Sequence, residues 1–177
     1  MSAQNQISYW KTIVELISIV GGLISLLVGG GYAIWQYQEK VQNDRVHEVF
    51  AFLDRLERPP VSSARQEIEQ VWSEKQEELK RQIEDNNLDK DAYCRYITKI
   101  VRETNLTRSI NSVLEFYDRL QTCVDTFLCD KPTARSFFQA DAKRLWHLHY
   151  CHIQEEREFR KDVTYAAGLE RFRSFKD

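Results

Sequence analysis

The sequence predicts an all-α protein: one N-terminal transmembrane helix continuing into an antiparallel cytosolic helical bundle. Three observations carry that expectation. Residues 16–38 hold no charged side chain, although 29% of the 177-residue chain is charged. Beyond them, apolar residues recur in steps of three and four, and no segment alternates strictly between hairpin turn signals. One glycine and three prolines are all that punctuate residues 39–177, too few turn formers for a β-rich or low-complexity chain. The formal net charge is −2, which argues against a protein that coats DNA and would need a basic footprint.

The first element runs from Leu16 to Gln38, 23 residues without a charge. At 1.5 Å per residue it covers roughly 35 Å, enough for a ~30 Å hydrocarbon core with some tilt. Tyr9 and Trp10 precede it, and Tyr32, Trp35 and Tyr37 close it, where amphipathic rings settle at headgroup level. A cleaved signal peptide is the competing reading. The basic start and A-x-A site that it requires are missing, and the apolar run exceeds a usual signal core. Residues 1–38 contain only Lys11 and Glu15 as charged side chains, whereas Lys40, Arg45 and Arg55 follow the span. That bias expects a single pass with the N-terminus outside and the bulk in the cytoplasm. Cys94, Cys123, Cys129 and Cys151 show no CxxC spacing and need not pair in such a reducing compartment.

The span carries a polar stripe. Lys11, Glu15, Ser18, Gly22, Ser25, Gly29, Tyr32 and Gln36 follow one another in steps of four and three, one face of a helix at heptad spacing. Ile13, Ile17, Val20, Leu23, Ile24, Leu26, Leu27 and Ile34 occupy the remaining faces. Gly21, Ser25 and Gly29 form a small-xxx-small ladder, and Gly21 and Gly30 are assigned to helix packing. A lone anchor needs neither device, so a homo-oligomer in membrane lipid is expected. Glu15 separates two versions of it, since an acid at membrane depth faces a bundle interior or water. In one, Glu15 lies near the headgroups, pairs with Lys11 and supports a dimer or trimer. In the other, Glu15, Ser18, Gly22, Ser25 and Gly29 line an aqueous pore, which needs a ring of roughly five or more helices ~10 Å wide.

Val46, Val49, Phe50, Leu53 and Leu56 extend the helical register up to Arg58, where Pro59 and Pro60 end it. No linker composition separates this stripe from the span, so the two are expected as one long helix. Ser63 with Gln66 reads as a capping box that opens a second helix, with Ile68, Val71, Trp72, Leu79 and Ile83 inward. Asp85, Asn86 and Asn87 break the chain, and Asp89 caps a third helix carrying Tyr93, Tyr96, Ile97, Ile100 and Val101. Thr107 opens a fourth, whose core face is expected to include Ile110, Val113, Leu114, Tyr117, Val124, Phe127 and Leu128. Lys131-Pro132-Thr133 starts a fifth with Phe138, Leu145, Trp146, Leu148 and Ile153 inside. The last stretch, 163–175, holds one glycine and is expected to kink or fray. The organisation is therefore 1–38 as transmembrane helix, 39–60 as juxtamembrane continuation and 61–177 as cytosolic bundle.

Reactive side chains concentrate in one place, Arg144-Leu-Trp-His147-Leu-His149-Tyr-Cys151-His152. There is no GxGxxG or GxxxxGK[ST] phosphate loop, and no cofactor is expected. His147 with Cys151 and His149 with His152 have chelating spacings, but the pairs face apart, so no metal is expected. Arg144 and His149 match the Arg-x4-His spacing of the HEPN ribonucleases, all-helical domains that cleave RNA without metal. In that chemistry histidine moves protons near neutral pH and arginine stabilises a charged phosphorane. Composition alone produces such a spacing in an arginine-rich chain, and Leu145 replaces the polar residue that many of these motifs carry. The structural reading is that His149 and His152 continue the apolar face of Phe138, Ala142 and Leu145.

Taken together, the glycine-rich N-terminal span, the long helix, the small bundle and the late Arg144/His149 pair resemble one family. It is the small membrane-embedded accessory protein of type VI-B CRISPR systems, the companion of an RNA-guided RNA nuclease. The resemblance implies a homo-oligomeric inner-membrane pore that enhances antiphage defence by depolarising or permeabilising the infected cell. It also implies a functional link to the nuclease, leaves direct RNA contact open, and makes Arg144 and His149 a vestigial pair with a structural or regulatory task. Two alternatives stand beside the pore: a membrane-tethered HEPN-type ribonuclease using Arg144 and His149, and a non-conducting membrane adaptor.

Overall fold

The computed structural model describes the backbone of residues 3–86 and 89–174, and the side chains of these except at 3–20, 23, 24, 26 and 82–86. Six helices and no strand make up the described residues: α1 (Ala3–Glu57), α2 (Val61–Asn86), α3 (Lys90–Glu103), α4 (Thr107–Asp125), α5 (Lys131–Arg160) and α6 (Ala167–Arg173). The protein is all-α. It divides into two compact units, Met1–Asp44 and Arg45–Asp177. The first holds the N-terminal part of α1, and the second holds the rest of α1 and the bundle.

Within the second unit the core is aromatic at its centre. Phe116 meets Phe52, Tyr117 and Phe138 with ring centroids 5.4–5.9 Å apart, and Phe172 closes on Tyr117 and Phe138 at 6.0 and 6.4 Å. Edge-to-face pairs of this kind add to the stabilisation that burial itself provides. Tyr117 is fully buried, and its hydroxyl donates to Asp141 Oδ2 at 2.9 Å. A tyrosine can occupy a core only when its polar end finds such a partner.

Local chemistry explains most of the boundaries. Asp89 caps α3 by accepting from the Ala92 amide at 2.6 Å, and Asp130 caps α5 by accepting from Thr133 at 2.9 Å. Both satisfy an amide that a helix start leaves unpaired. Four turn positions take a left-handed backbone without glycine: Asn105, Phe127, Lys161 and Ala166.

Several sequence expectations are corrected here. Helix α2 starts at Val61 directly after Pro59-Pro60, so Ser63 lies inside the helix and is no cap. Backbone bonds from Ser62 to Arg58 and from Ala64 to Pro60 carry the turn into the helix instead. The terminal stretch orders into α6, because the Gly168 amide donates to Asp118 Oδ1 at 2.7 Å while Leu169 and Phe172 are buried. A Cβ at Gly168 would lie 2.5 Å from the Asp118 Cα, so this glycine permits the close approach of α6 to α4. Phe127 and Leu128 are not core: α4 ends at Asp125, and the reversal at Phe127 turns both side chains outward. Helices α4 and α5 form an antiparallel hairpin, but the bundle is not antiparallel throughout. The pairs Arg65–Asp141, Glu69–Arg144 and Trp72–His149 advance together, so α2 and α5 run in the same direction.

The four cysteines also depart from expectation, because all of them pair. Cys94 joins α3 to Cys151 of α5, and Cys123 joins Cys129 across the α4–α5 turn, with Cα–Cα distances of 5.0 and 5.2 Å. These lie within the normal range for disulfides. Spacing along the chain gave no signal of it, since pairing depends on which helix turns the fold brings together.

Candidate functional site: an apolar groove and an exposed helix segment

Arg144 and His149 both lie on α5, yet they face different surroundings. A separation of five residues turns a helix by ~500°, or 140° past a full turn, which divides the two side chains between two faces. The Arg144 side chain is 61% exposed, and its guanidinium donates to Glu69 at 3.1 Å and to Asp141 at 3.3 Å. Arg65 reaches the same Asp141 oxygen at 3.1 Å. Asp141 therefore collects two arginines and the Tyr117 hydroxyl, and it fastens α2 and α4 to α5.

His149 is 2% exposed and has both ring nitrogens engaged. Its Nδ1 lies 3.0 Å from the Leu145 carbonyl, and its Nε2 lies 3.3 Å from Trp72 Nε1. The carbonyl can only accept and the indole can only donate, so the ring is neutral with its proton on Nδ1. Burial pushes its pKa down to about 4, opposed in part by the bond to Leu145. A general acid or base needs a reachable nitrogen that titrates near the working pH, and His149 has neither. His152 is equally buried, and its two nitrogens find no hydrogen-bond partner among the described residues. Burial lowers its pKa as well, against the pull of Glu156 and Glu155. Both histidines continue the buried face of Phe138, Ala142 and Leu145. Cys151 is held in a disulfide, and no group of three or more candidate metal ligands converges among the described residues.

Between α2 and α5 lies an open groove of about 380 Å³. Its floor is Ile68, Trp72, Leu145 and Leu148, and Arg144 with Glu69 stands at its rim. The sequence reading missed Trp72 as the partner of His149 and Asp141 as the hub of the network. Trp72 carried a signal, because an indole on an inward face needs an acceptor. Asp141 carried none among so many surface acids.

In the first unit, Gly21, Gly22, Ser25, Gly29 and Gly30 are all exposed. Among the described residues, a Cβ at any of these glycines would meet nothing beyond the helix's own backbone within 4 Å. Ser25 Oγ donates to the Gly21 carbonyl at 2.9 Å, which satisfies the hydroxyl within the helix. Leu27, Val28, Tyr32, Ile34, Trp35 and Tyr37 are exposed as well. The side chains of Glu15 and Ser18, expected to share the polar stripe, and that of Lys11 lie outside those described. Among the described residues no helix is long and apolar enough to cross a membrane. The side chains of Leu16–Val20, Leu23, Ile24 and Leu26, which hold much of the run's apolar content, are not among them.

A family model described as a domain of unknown function, DUF4760, matches residues 23–174. No curated protein and no solved structure matches the chain.

Proposed function

The chain belongs to the DUF4760 family, and for this member we propose a homo-oligomeric inner-membrane pore that acts in antiphage defence beside an RNA-guided RNA nuclease. One observation carries the reading: among the described residues of the first unit, the apolar side chains and the small residues of α1 are both exposed. Contiguous exposed apolar surface calls for a partner. Lipid suits Leu27, Val28 and Ile34, and neighbouring copies of the helix suit the glycine ladder. Glu15, Ser18, Gly22, Ser25 and Gly29 then face the axis. The link to RNA-targeting CRISPR defence rests on the likeness in layout to the type VI-B accessory proteins.

The first test is the mass of the detergent-solubilised complex by light scattering, with detergent subtracted. Five or more protomers are expected; two or three would leave no room for water along the stripe. Gly22→Leu and Ser25→Leu should then block dye uptake and depolarisation while the bundle stays folded. Unchanged uptake in both variants would remove the pore and leave the adaptor. The ribonuclease reading gains no support from an arginine tied to two acids and a histidine sealed in the core.

Orientation follows the excess of Lys40, Arg45 and Arg55 over Lys11, which places the bundle in the cytoplasm. The two disulfides pull the other way, since structural disulfides persist in oxidising compartments. We give the charge bias precedence because it acts on the orientation of the span directly. In spheroplasts, protease added from outside should then leave the bundle uncut until the inner membrane is permeabilised. Digestion of the bundle before permeabilisation would reverse the orientation.

A further inference from the structure

The turn between α4 and α5 presents Phe127 at 73% and Leu128 at 65% exposure, side by side. The segment is not a slack loop. Leu128 and Cys129 both donate backbone N–H groups to the Cys123 carbonyl, Phe127 donates to Val124, and the Cys123–Cys129 disulfide closes the ring. A large side chain in the left-handed conformation, as at Phe127, is uncommon. The acids around it are engaged: Asp130 caps α5, and Asp125 accepts from Gln121 and Arg171. The backbone thus holds two large apolar groups outward in a fixed shape.

Contacts within the second unit fix the direction in which this tip points. Phe52 of α1 packs on Phe116, Phe50 packs on Phe137, and the Arg45 carbonyl accepts from the Asp130 amide at 3.2 Å. Stepping back along α1 from residue 52 to 45 therefore means stepping along α5 from Phe137 to Asp130, towards the turn. The tip lies at the end of the bundle from which α1 leaves towards its own N-terminus. Arg45 stands seven residues after Gln38, the last residue of the uncharged run. In a helix those seven residues span about 10 Å.

We propose that the Cys123–Cys129 turn is a membrane-contact element, with Phe127 and Leu128 seated in the headgroup layer of the bilayer that α1 enters. The occupant is lipid. The covalent path from Arg45 to the uncharged run keeps the tip within reach of the surface, and a paired aromatic and aliphatic group suits that interface. This inference rests on the membrane reading of α1.

Site-specific photo-crosslinking tests the two separately. A benzophenone amino acid is placed at Phe127, at Ile34 or at Phe159 in the full chain. Each protein is reconstituted in vesicles of phosphatidylcholine and phosphatidylglycerol with a labelled lipid tracer. Ile34 reports the span, and Phe159, 84% exposed at the far end of α5, reports non-specific lipid capture. Lipid adducts at 127 and 34 but not at 159 are expected. An adduct at 34 with none at 127 overturns the contact and leaves the span standing. A protein–protein adduct of doubled mass at 127 overturns it in favour of a second copy covering the tip. No adduct at 34 removes the membrane reading, and the proposal falls with it.

Discussion

Replacing His149 by glutamine should flatten the acid sensitivity of the bundle. The glutamine amide can still accept from Trp72 and donate to the Leu145 carbonyl, but it does not titrate. In the wild type the folded-state pKa is lowered from 6.5 to about 4. Between those values the unfolded chain holds a proton that the folded chain does not, so stability is complete above pH 6.5 and falls as pH drops towards 4. A difference of that size corresponds to about 3 kcal/mol at pH 4, set against a typical total of about 5–15 kcal/mol for a domain. Carboxylates also titrate in this range, but they do so in both proteins and cancel in the comparison. The assay is urea unfolding of the full chain in non-ionic detergent, followed by far-ultraviolet circular dichroism from pH 7.5 to 4. The variant should start up to about 1 kcal/mol below wild type, from imperfect replacement of two hydrogen bonds. It should then lose about 3 kcal/mol less than wild type on acidification. Parallel curves would refute the reasoning: His149 would then titrate as freely folded as unfolded, and a proton-transfer role would be open to it again.

Other expectations follow from the same contacts. Gly168→Ala drives a Cβ onto the Asp118 backbone and should cost about 1–3 kcal/mol in the same unfolding assay, as overpacking does; a change under 0.5 kcal/mol would show that α6 shifts freely. In oxidised protein, replacing Cys94 and Cys151 together by serine should cost about 4 kcal/mol, against about 2 kcal/mol for Cys123 with Cys129, because the first pair closes a loop of 57 residues and the second a loop of 6. Equal losses measured by denaturant midpoint would count against the loop-closure account. Arg144→Ala removes an exposed arginine and should change stability by only about 1 kcal/mol while phage protection persists; loss of protection with an intact oligomer would restore Arg144 as a working residue.

Helix positions were legible wherever the chain supplies a cap or a proline. Asp89, Lys131-Pro132-Thr133 and Pro59-Pro60 each mark a boundary within a residue or two of the observed one, because each acts through its own backbone. What depends on distant partners was not legible. Phe127 and Leu128 continue the apolar spacing of α4, and only the reversal at Phe127 takes them off its face. Ser63 and Gln66 fit a capping box, yet the helix already begins at Val61. The cysteine pairs, the Trp72–His149 bond and the Asp141 hub each join residues from different helices, and periodicity within one helix has no information on its neighbour. At the candidate site, the buried face shared by Phe138, Ala142, Leu145, His149 and His152 was readable, but the outward turn of Arg144 into two acids was not.

The placement of glycine runs against the local needs of the backbone. Five of six sit inside α1, where each lowers helix propensity by about 1 kcal/mol relative to alanine. Meanwhile the left-handed positions at 105, 127, 161 and 166 are filled by Asn, Phe, Lys and Ala, although a residue with a Cβ is strained there by roughly 1–2 kcal/mol. Among the described residues, no other element comes within 4 Å of a Cβ built on Gly21, Gly22, Gly29, Gly30 or Gly31, so no contact there accounts for the glycines. In the proposed assembly the glycine ladder lets a second backbone lie against the first with no Cβ between them. Alanines on that ladder would make a better solitary helix and a poorer member of an assembly.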